Sequence, residues 1–255
     1  ALEVYRYFID NLSAAYIVRG VSSFEIGRPV SESFKGDRLT IKSMRFLEGS
    51  PSNFACDGEG APVRDAVLMD AGVPREITGS RMFSQYLGLE DSFMITNWSA
   101  SGGTRSAEEL RKGRFLEIVE FSDFQVDSMT GDIFGEIRLA YYHDGEGKVT
   151  PVTGGSVSGS MLDNIPEMYF SKEQRKYANA LIPKVTRLEN VTVAGIEKNK
   201  RVMIYCVRGY VFFFSRGLRR LGRFFWVRNI DSAFLFCRRG FTFLCGTFLR
   251  CRNGF

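Results

Sequence analysis

Apolar side chains recur at helical spacing over the first sixteen residues. Tyr5, Phe8, Ile9, Leu12 and Tyr16 share one side, and Glu3, Arg6, Asp10 and Asn11 fall mostly elsewhere. The spacing predicts an amphipathic helix with one face packed on the rest of the chain. A Gly- and Ser-containing connection at 19–23 follows, then strands at 39–41 and 66–69, with a turn at Asp70-Ala71-Gly72. Residues 81–87 read as a short helix stopped by Gly88, and 94–98 as extended. Ser106 and Glu109 form a capping box, and Gly113 occupies the place of a helix C-terminal glycine, which predicts a helix over 107–112.

From Arg114 the period changes to two. Phe115, Glu117, Val119 and Phe121 alternate with Leu116, Ile118 and Glu120, a strand buried at least partly on both faces. A turn at Met129-Thr130-Gly131-Asp132 leads to a strand over 133–142, and a turn at 143–147 to a third over 148–158. Turns this short cannot make a parallel crossover, so the meander is antiparallel. Ser171-Lys172-Glu173-Gln174 is a second capping box and predicts a helix ending before Pro183; a last strand falls at 188–193. The predicted fold class is α+β, an antiparallel sheet-centred domain with an N-terminal amphipathic helix and a few short helices.

Composition changes the picture at one point. Residues 201–255 hold eleven Arg, no Lys, one acid (Asp231) and eleven of the 23 Phe, a net charge of +10, whereas 1–200 carry 23 basic side chains against 28 acidic. The division of the chain is therefore read as a domain over 1–197 and an Arg/Phe-rich tail over 198–255. Eleven Arg with no Lys is what translation through a displaced frame or stop would produce, giving a non-native extension. As a native segment the tail would suit a membrane surface before nucleic acid. Cys206, Cys237, Cys245 and Cys251 lie in the tail without CxxC spacing, which gives no zinc pattern, and the single Cys56 before it fits a reducing compartment. No stretch reaches the roughly 18 to 20 consecutive apolar residues of a membrane span. The chain opens on Ala1-Leu2-Glu3 with neither a Met nor a basic segment leading into an apolar run. It is therefore expected to lack a signal, to be cytoplasmic, and to be a fragment or a trimmed chain.

Candidate chemistry is sparse. His143, the one histidine of the chain, reads as an exposed turn residue, with no second histidine or cysteine near in sequence. Asp57 and Glu59 could pair for acid–base work but read first as solvated acids of a Gly-rich turn. Gly154-Gly155-Ser156 and Gly159 could cradle an anion, although tight packing of strand against loop explains these glycines more simply. Cys56 has no histidine near in sequence to activate it.

Several segments in this order resemble the TldD/PmbA family (TldD/TldE, modulators of DNA gyrase). Asp57-Gly58-Glu59-Gly60-Ala61-Pro62 followed by Val67-Leu68-Met69-Asp70-Ala71-Gly72-Val73 is similar to the family's DxEGxP and LIxNGxL block. Gln85-Tyr86-Leu87-Gly88-Leu89 fits the ARKLGL position, and Gly102-Gly103 resembles the loop before an S-x-E-E-L helix start. Thr130-Gly131-Asp132 resembles the VTGDF turn, and residues 151–162 the PVKGxTIxGNxxDxL strand and loop. Arg187-Leu188-Glu189-Asn190-Val191-Thr192-Val193-Ala194-Gly195 resembles a family C-terminus, so the resemblance spans roughly residues 1–197.

In the family's catalytic subunit a helix carries HExxxH, two zinc ligands and a general base on one helix. Counted back from Ser22-Ser23-Phe24, the motif falls within 2–10. In one register Leu2 and Tyr7 stand where the histidines belong, with Glu3 as the base; three residues on, it is Tyr5 and Asp10. The resemblance therefore implies the non-metal subunit, PmbA or TldE. Such a chain has no catalytic, cofactor-binding or metal-ligating residue of its own, and zinc is expected only in a TldD-type catalytic partner. The implied partners are that subunit, in a heterodimeric peptidase complex, and an unfolded peptide framed along a sheet edge. Nucleic acid is not expected, and a membrane only if the tail is native. The alternatives are a membrane-peripheral module acting through the basic aromatic tail, or a non-functional truncated product.

Overall fold

The computed structural model describes residues 2–197, 202–207 and 210–214. Most of the 198–255 tail, and with it the reading of that tail as non-native or membrane-seeking, lies outside the described residues. The predicted N-terminal helix is two helices, α1 (Leu2–Asn11) and α2 (Ala14–Val18). The break comes from Ser13, whose hydroxyl donates back to the Asp10 carbonyl while also accepting from the Tyr16 amide to cap α2. The next amide, Ala14, leaves the helix ladder for the Thr78 carbonyl.

One sheet has six strands. It is built from β1 (Thr40–Met44), β2 (Ala66–Asp70), β3 (Val73–Pro74), β4 (Asn97–Ser101), β10 (Gln174–Tyr177) and β11 (Ala180–Pro183), in the order β10-β11-β4-β1-β2-β3. Only the β11–β4 pairing is parallel. The second sheet carries β5 (Phe115–Val126), β6 (Asp132–His143), β7 (Val149–Val152), β8 (Ser156–Ser160), β13 (Val191–Glu197), β14 (Val202–Val207) and β15 (Tyr210–Phe214). Its order is β15-β14-β13-β8-β6-β5, with β7 also on β6. A two-stranded ribbon pairs β9 (Met168–Phe170) with β12 (Thr186–Leu188). Short helices α3 (Arg81–Tyr86), α4 (Ala107–Leu110) and α5 (Met161–Asn164) complete the α+β fold.

The capping box at the start of α4 forms as predicted, with both reciprocal bonds between Ser106 and Glu109, and Gly113 takes φ +81° just beyond. The other capping-box reading fails: residues 171–183 are the β10–β11 hairpin, not a helix. Each residue of the box has a tertiary partner instead. Ser171 exchanges bonds with Val185, donating its amide to the carbonyl and accepting the Val185 amide on its hydroxyl. The Glu173 carboxylate accepts from the Ala107 amide, and Gln174 donates to the Ala100 carbonyl. Residues 94–98 are not one strand; β4 starts at Asn97 because the Met94 amide is drawn to the Asp57 carboxylate.

The third strand of the meander is split. β7 pairs with the far half of β6 and β8 with the near half, and Gly154 and Gly155 bridge the two through bonds to the Ile137 backbone. The final strand is likewise two, β12 and β13, separated at Glu189–Asn190 where Asn190 bonds to Asn164 and Asp163.

The main core gathers both sheets around α1. Tyr5, Tyr7, Phe8 and Leu12 meet Ile41, Leu68, Met69, Trp98 and Ile182 of the first sheet, and Val126 and Ile133 of the second. Each such large side chain contributes roughly 1.5–3 kcal/mol on burial, so α1 is held by packing rather than by its own helix propensity.

Candidate functional site

α1 presents two faces of different chemistry. Val4, Tyr5, Tyr7, Phe8 and Asn11 turn inward, whereas Arg6 is exposed and Leu2, Glu3, Ile9 and Asp10 are half-buried. The outer face forms one wall of a cleft of about 350 Å³, closed opposite by Ile95, Trp98 and Asn179. Arg6 reaches Glu3 at 3.2 Å, an exposed i,i+3 pair. Asp10 Oδ2 accepts from the Ser128 hydroxyl at 2.6 Å, which ties α1 to the β5–β6 turn.

Asn11, expected on the polar side, is fully buried. Its amide donates to the Tyr7 and Ser128 carbonyls and its oxygen accepts from the Ser23 amide. Nothing in the sequence marked this residue, because two of its three partners lie 12 and 117 positions away.

Tyr5 sits in the core against Trp98 and Phe170, and its hydroxyl meets Thr186 Oγ1 at 2.5 Å. Burial raises its phenol far above the usual range, against the opposing pull of that hydrogen bond. Tyr7 packs edge-on against Phe8 and Phe24, and its buried hydroxyl has no hydrogen-bond partner. Burial raises this phenol too, with Ser23 acting against the shift from outside hydrogen-bonding geometry.

Asp57 and Glu59 lie in the Gly-rich turn as expected, Asp57 half-buried and Glu59 exposed, and both carboxylates also pin backbone. Asp57 Oδ1 accepts from the Glu59 and Ala61 amides, and Oδ2 from Met94. Glu59 accepts from the Ser80 hydroxyl and the Arg81 amide, capping α3 from outside where Ser80 makes no cap bond of its own. For Asp57, desolvation acts to raise the pKa. The Met94, Ala61 and Glu59 amides, with the Arg81 charge, outweigh it and hold the carboxyl below the usual range.

A folded-state pKa below the unfolded value means stability that is present above about pH 4 and lost as the pH falls through the folded value. Asp57→Asn turns an amide toward the Met94 N–H. Thermal unfolding at pH 7 should therefore show a loss of about 1 kcal/mol, together with a smaller pH 7 to pH 3 difference than in the parent. An unchanged acid limb would refute this role.

His143 is not in a turn but ends β6, half-buried and stacked on Phe115 at 4.2 Å, with Nε2 3.4 Å from Glu117. Cys56 is exposed and makes an isolated bridge with Pro62. At Gly155 an added Cβ would run into the Ala194 carbonyl, and at Gly159 it would come within 3.1 Å of the Asn190 carbonyl. Gly155 and Gly159 are thus packed against backbone, whereas Gly154 has nothing near its Cβ position among the described residues.

The family described as PmbA/TldA metallopeptidase C-terminal domain matches residues 2–195. The chain belongs to the TldD/PmbA family. A search of curated proteins returned no match. Among solved structures it is similar to TldE from Thermococcus kodakarensis, at 18% identity and TM-score 0.60, covering 73% of this chain and 46% of that one. A Bacteroides thetaiotaomicron protein carrying the name modulator of DNA gyrase aligns at 18% identity and TM-score 0.62, covering 77% and 45%. One of that name from Thermotoga maritima aligns at 20% and 0.58, covering 72% and 45%. The chain thus spans less than half the length of these structures, and at such identities they speak for the fold.

Within this TldD/PmbA domain, α1 spans the residues 2–10 among which the resemblance sets HExxxH. Its residues do not fit zinc in either register. Tyr7 of the first register and Tyr5 of the second are sealed in the aromatic core, Leu2 has no donor atom, and Asp10 is bonded to Ser128. Between them stands the Arg6 cation. Among the described residues no three His, Cys, Asp or Glu side chains converge to hold a metal ion, and no helix is long and apolar enough to cross a membrane.

Proposed function

We propose that this chain is the non-metal-binding subunit of a TldD/TldE-type peptidase complex and acts on unfolded peptides beside a zinc-bearing TldD-type partner. The observation that carries the reading is the chemistry of α1. Two imidazoles on one helix need open positions facing a common point. Here each register places one of its two positions on an aromatic side chain that fills the core, Tyr7 in the first and Tyr5 in the second, so restoring a ligand pair would cost packing. The similarity to TldE from Thermococcus kodakarensis supports the same reading.

The test is cleavage of an unstructured peptide by this chain, by an HExxxH-bearing TldD-type subunit, and by the two together, each with and without a zinc chelator. No cleavage by this chain alone is expected, with chelator-sensitive cleavage by the mixture exceeding that of the partner. Chelator-sensitive cleavage by this chain alone, or a mixture no more active than the partner, would overturn the reading.

A further inference from the structure

The cleft along α1 carries charges of both signs on one helical stripe. Glu3, Arg6 and Asp10 follow at i,i+3 and i,i+4, and Ile9 and Trp98 supply apolar wall. Four residues of helix place Arg6 and Asp10 about 6 Å apart along the axis, close to the roughly 7 Å spanned by two residues of extended chain. Ser128 holds one oxygen of Asp10, and Arg6 is paired at the surface with Glu3. A purely apolar ligand would strip water from three charges without replacing it, and a simple anion would meet two carboxylates against one guanidinium.

We infer that this cleft binds a small zwitterion of dipeptide size, its ammonium group on Asp10, its carboxylate on Arg6, and an apolar side chain against Trp98. The cleft volume of about 350 Å³ lies at the lower end of ordinary ligand sites. The inference deepens the peptide-directed reading above; it rests on that reading for the biological role of the ligand and not for the binding.

The test is calorimetric titration of the whole chain with leucyl-leucine in three forms: free, N-acetylated and C-amidated. The free dipeptide is expected to bind, and each cap to weaken it about fivefold, the worth of one partly exposed ion pair. Arg6→Met should weaken the free and N-acetylated forms and leave the amide unchanged. Asp10→Asn, which can still accept from Ser128, should weaken the free and amidated forms and leave the N-acetylated one unchanged. Equal affinity for all three forms, or no binding of any, would sink the inference. Dipeptide binding without partner-dependent cleavage would sink only the accessory-subunit reading, and partner-dependent cleavage without dipeptide binding only this one.

Discussion

Gly103→Ala is expected to destabilise the protein by more than about 4 kcal/mol, beyond the ordinary range for single substitutions. A Cβ at Gly103 would lie inside the Phe170 carbonyl and 3.1 Å from Phe170 Cα, so it meets backbone rather than a side chain that could swing away. Relief requires the 102–105 segment to lift off β9. That would break the Arg105–Ser171 bridge and the bond from the Lys172 amide to the Arg105 carbonyl, and would disturb the Phe170 amide held by Asp37. Phe170 itself is core, packed on Tyr5. For a domain of this size the loss corresponds to a fall in Tm of about 10 °C or more. Gly195→Ala is the control: nothing among the described residues lies near its Cβ position, and it should stay within about 0.5 kcal/mol of the parent. Equal melting temperatures for the two variants would show that the close approach at Gly103 is not structurally required.

The second large effect is at Asn11. Asn11→Leu keeps the volume but removes three hydrogen bonds, leaving the Ser128 carbonyl and the Ser23 amide without their partner. Two orphaned backbone groups at about 1–3 kcal/mol each, less the gain from the apolar side chain, give a loss of about 3 kcal/mol. The measurement is denaturant unfolding, where the midpoint should fall with the slope unchanged. The loss should be larger than for Asp10→Asn, because Asp10 is bonded to one hydroxyl from a half-buried position. A variant as stable as the parent would mean that the junction of α1 with the β5–β6 turn and the Ser22–Ser23 loop does not depend on the buried amide.

The failed reading of residues 171–183 has a clear cause. Ser-x-x-Gln before an apolar run describes a helix start only when those side chains have nothing better to bind, and here Val185, Ala107 and Ala100 offer backbone partners. The same substitution of distant for local partners explains Asp57 and Glu59, whose backbone partners include the amides of Met94 and Arg81. At Ser106 and Glu109, by contrast, both partners lie within the box, and the local reading holds. The cleft on α1 was only half legible. Glu3, Arg6 and Asp10 could be placed on one stripe from their spacing, but Ile95, Trp98 and Asn179 complete it from segments far along the chain.

What the amino-acid sequence determines alone is local or compositional: the turns at Gly72, Gly88, Gly113 and Gly131, all with positive φ, the period-two run that opens β5, and the lack of any histidine but His143. These need only backbone sterics, the pleat of a strand, or a count. Tertiary structure decided which polar side chains are buried, which capping box is used, and where the third strand divides, since each of these turns on whether a distant backbone group competes for the same hydrogen bond. A buried amide or carboxylate must find a partner, and only the folded chain sets which partner is within reach.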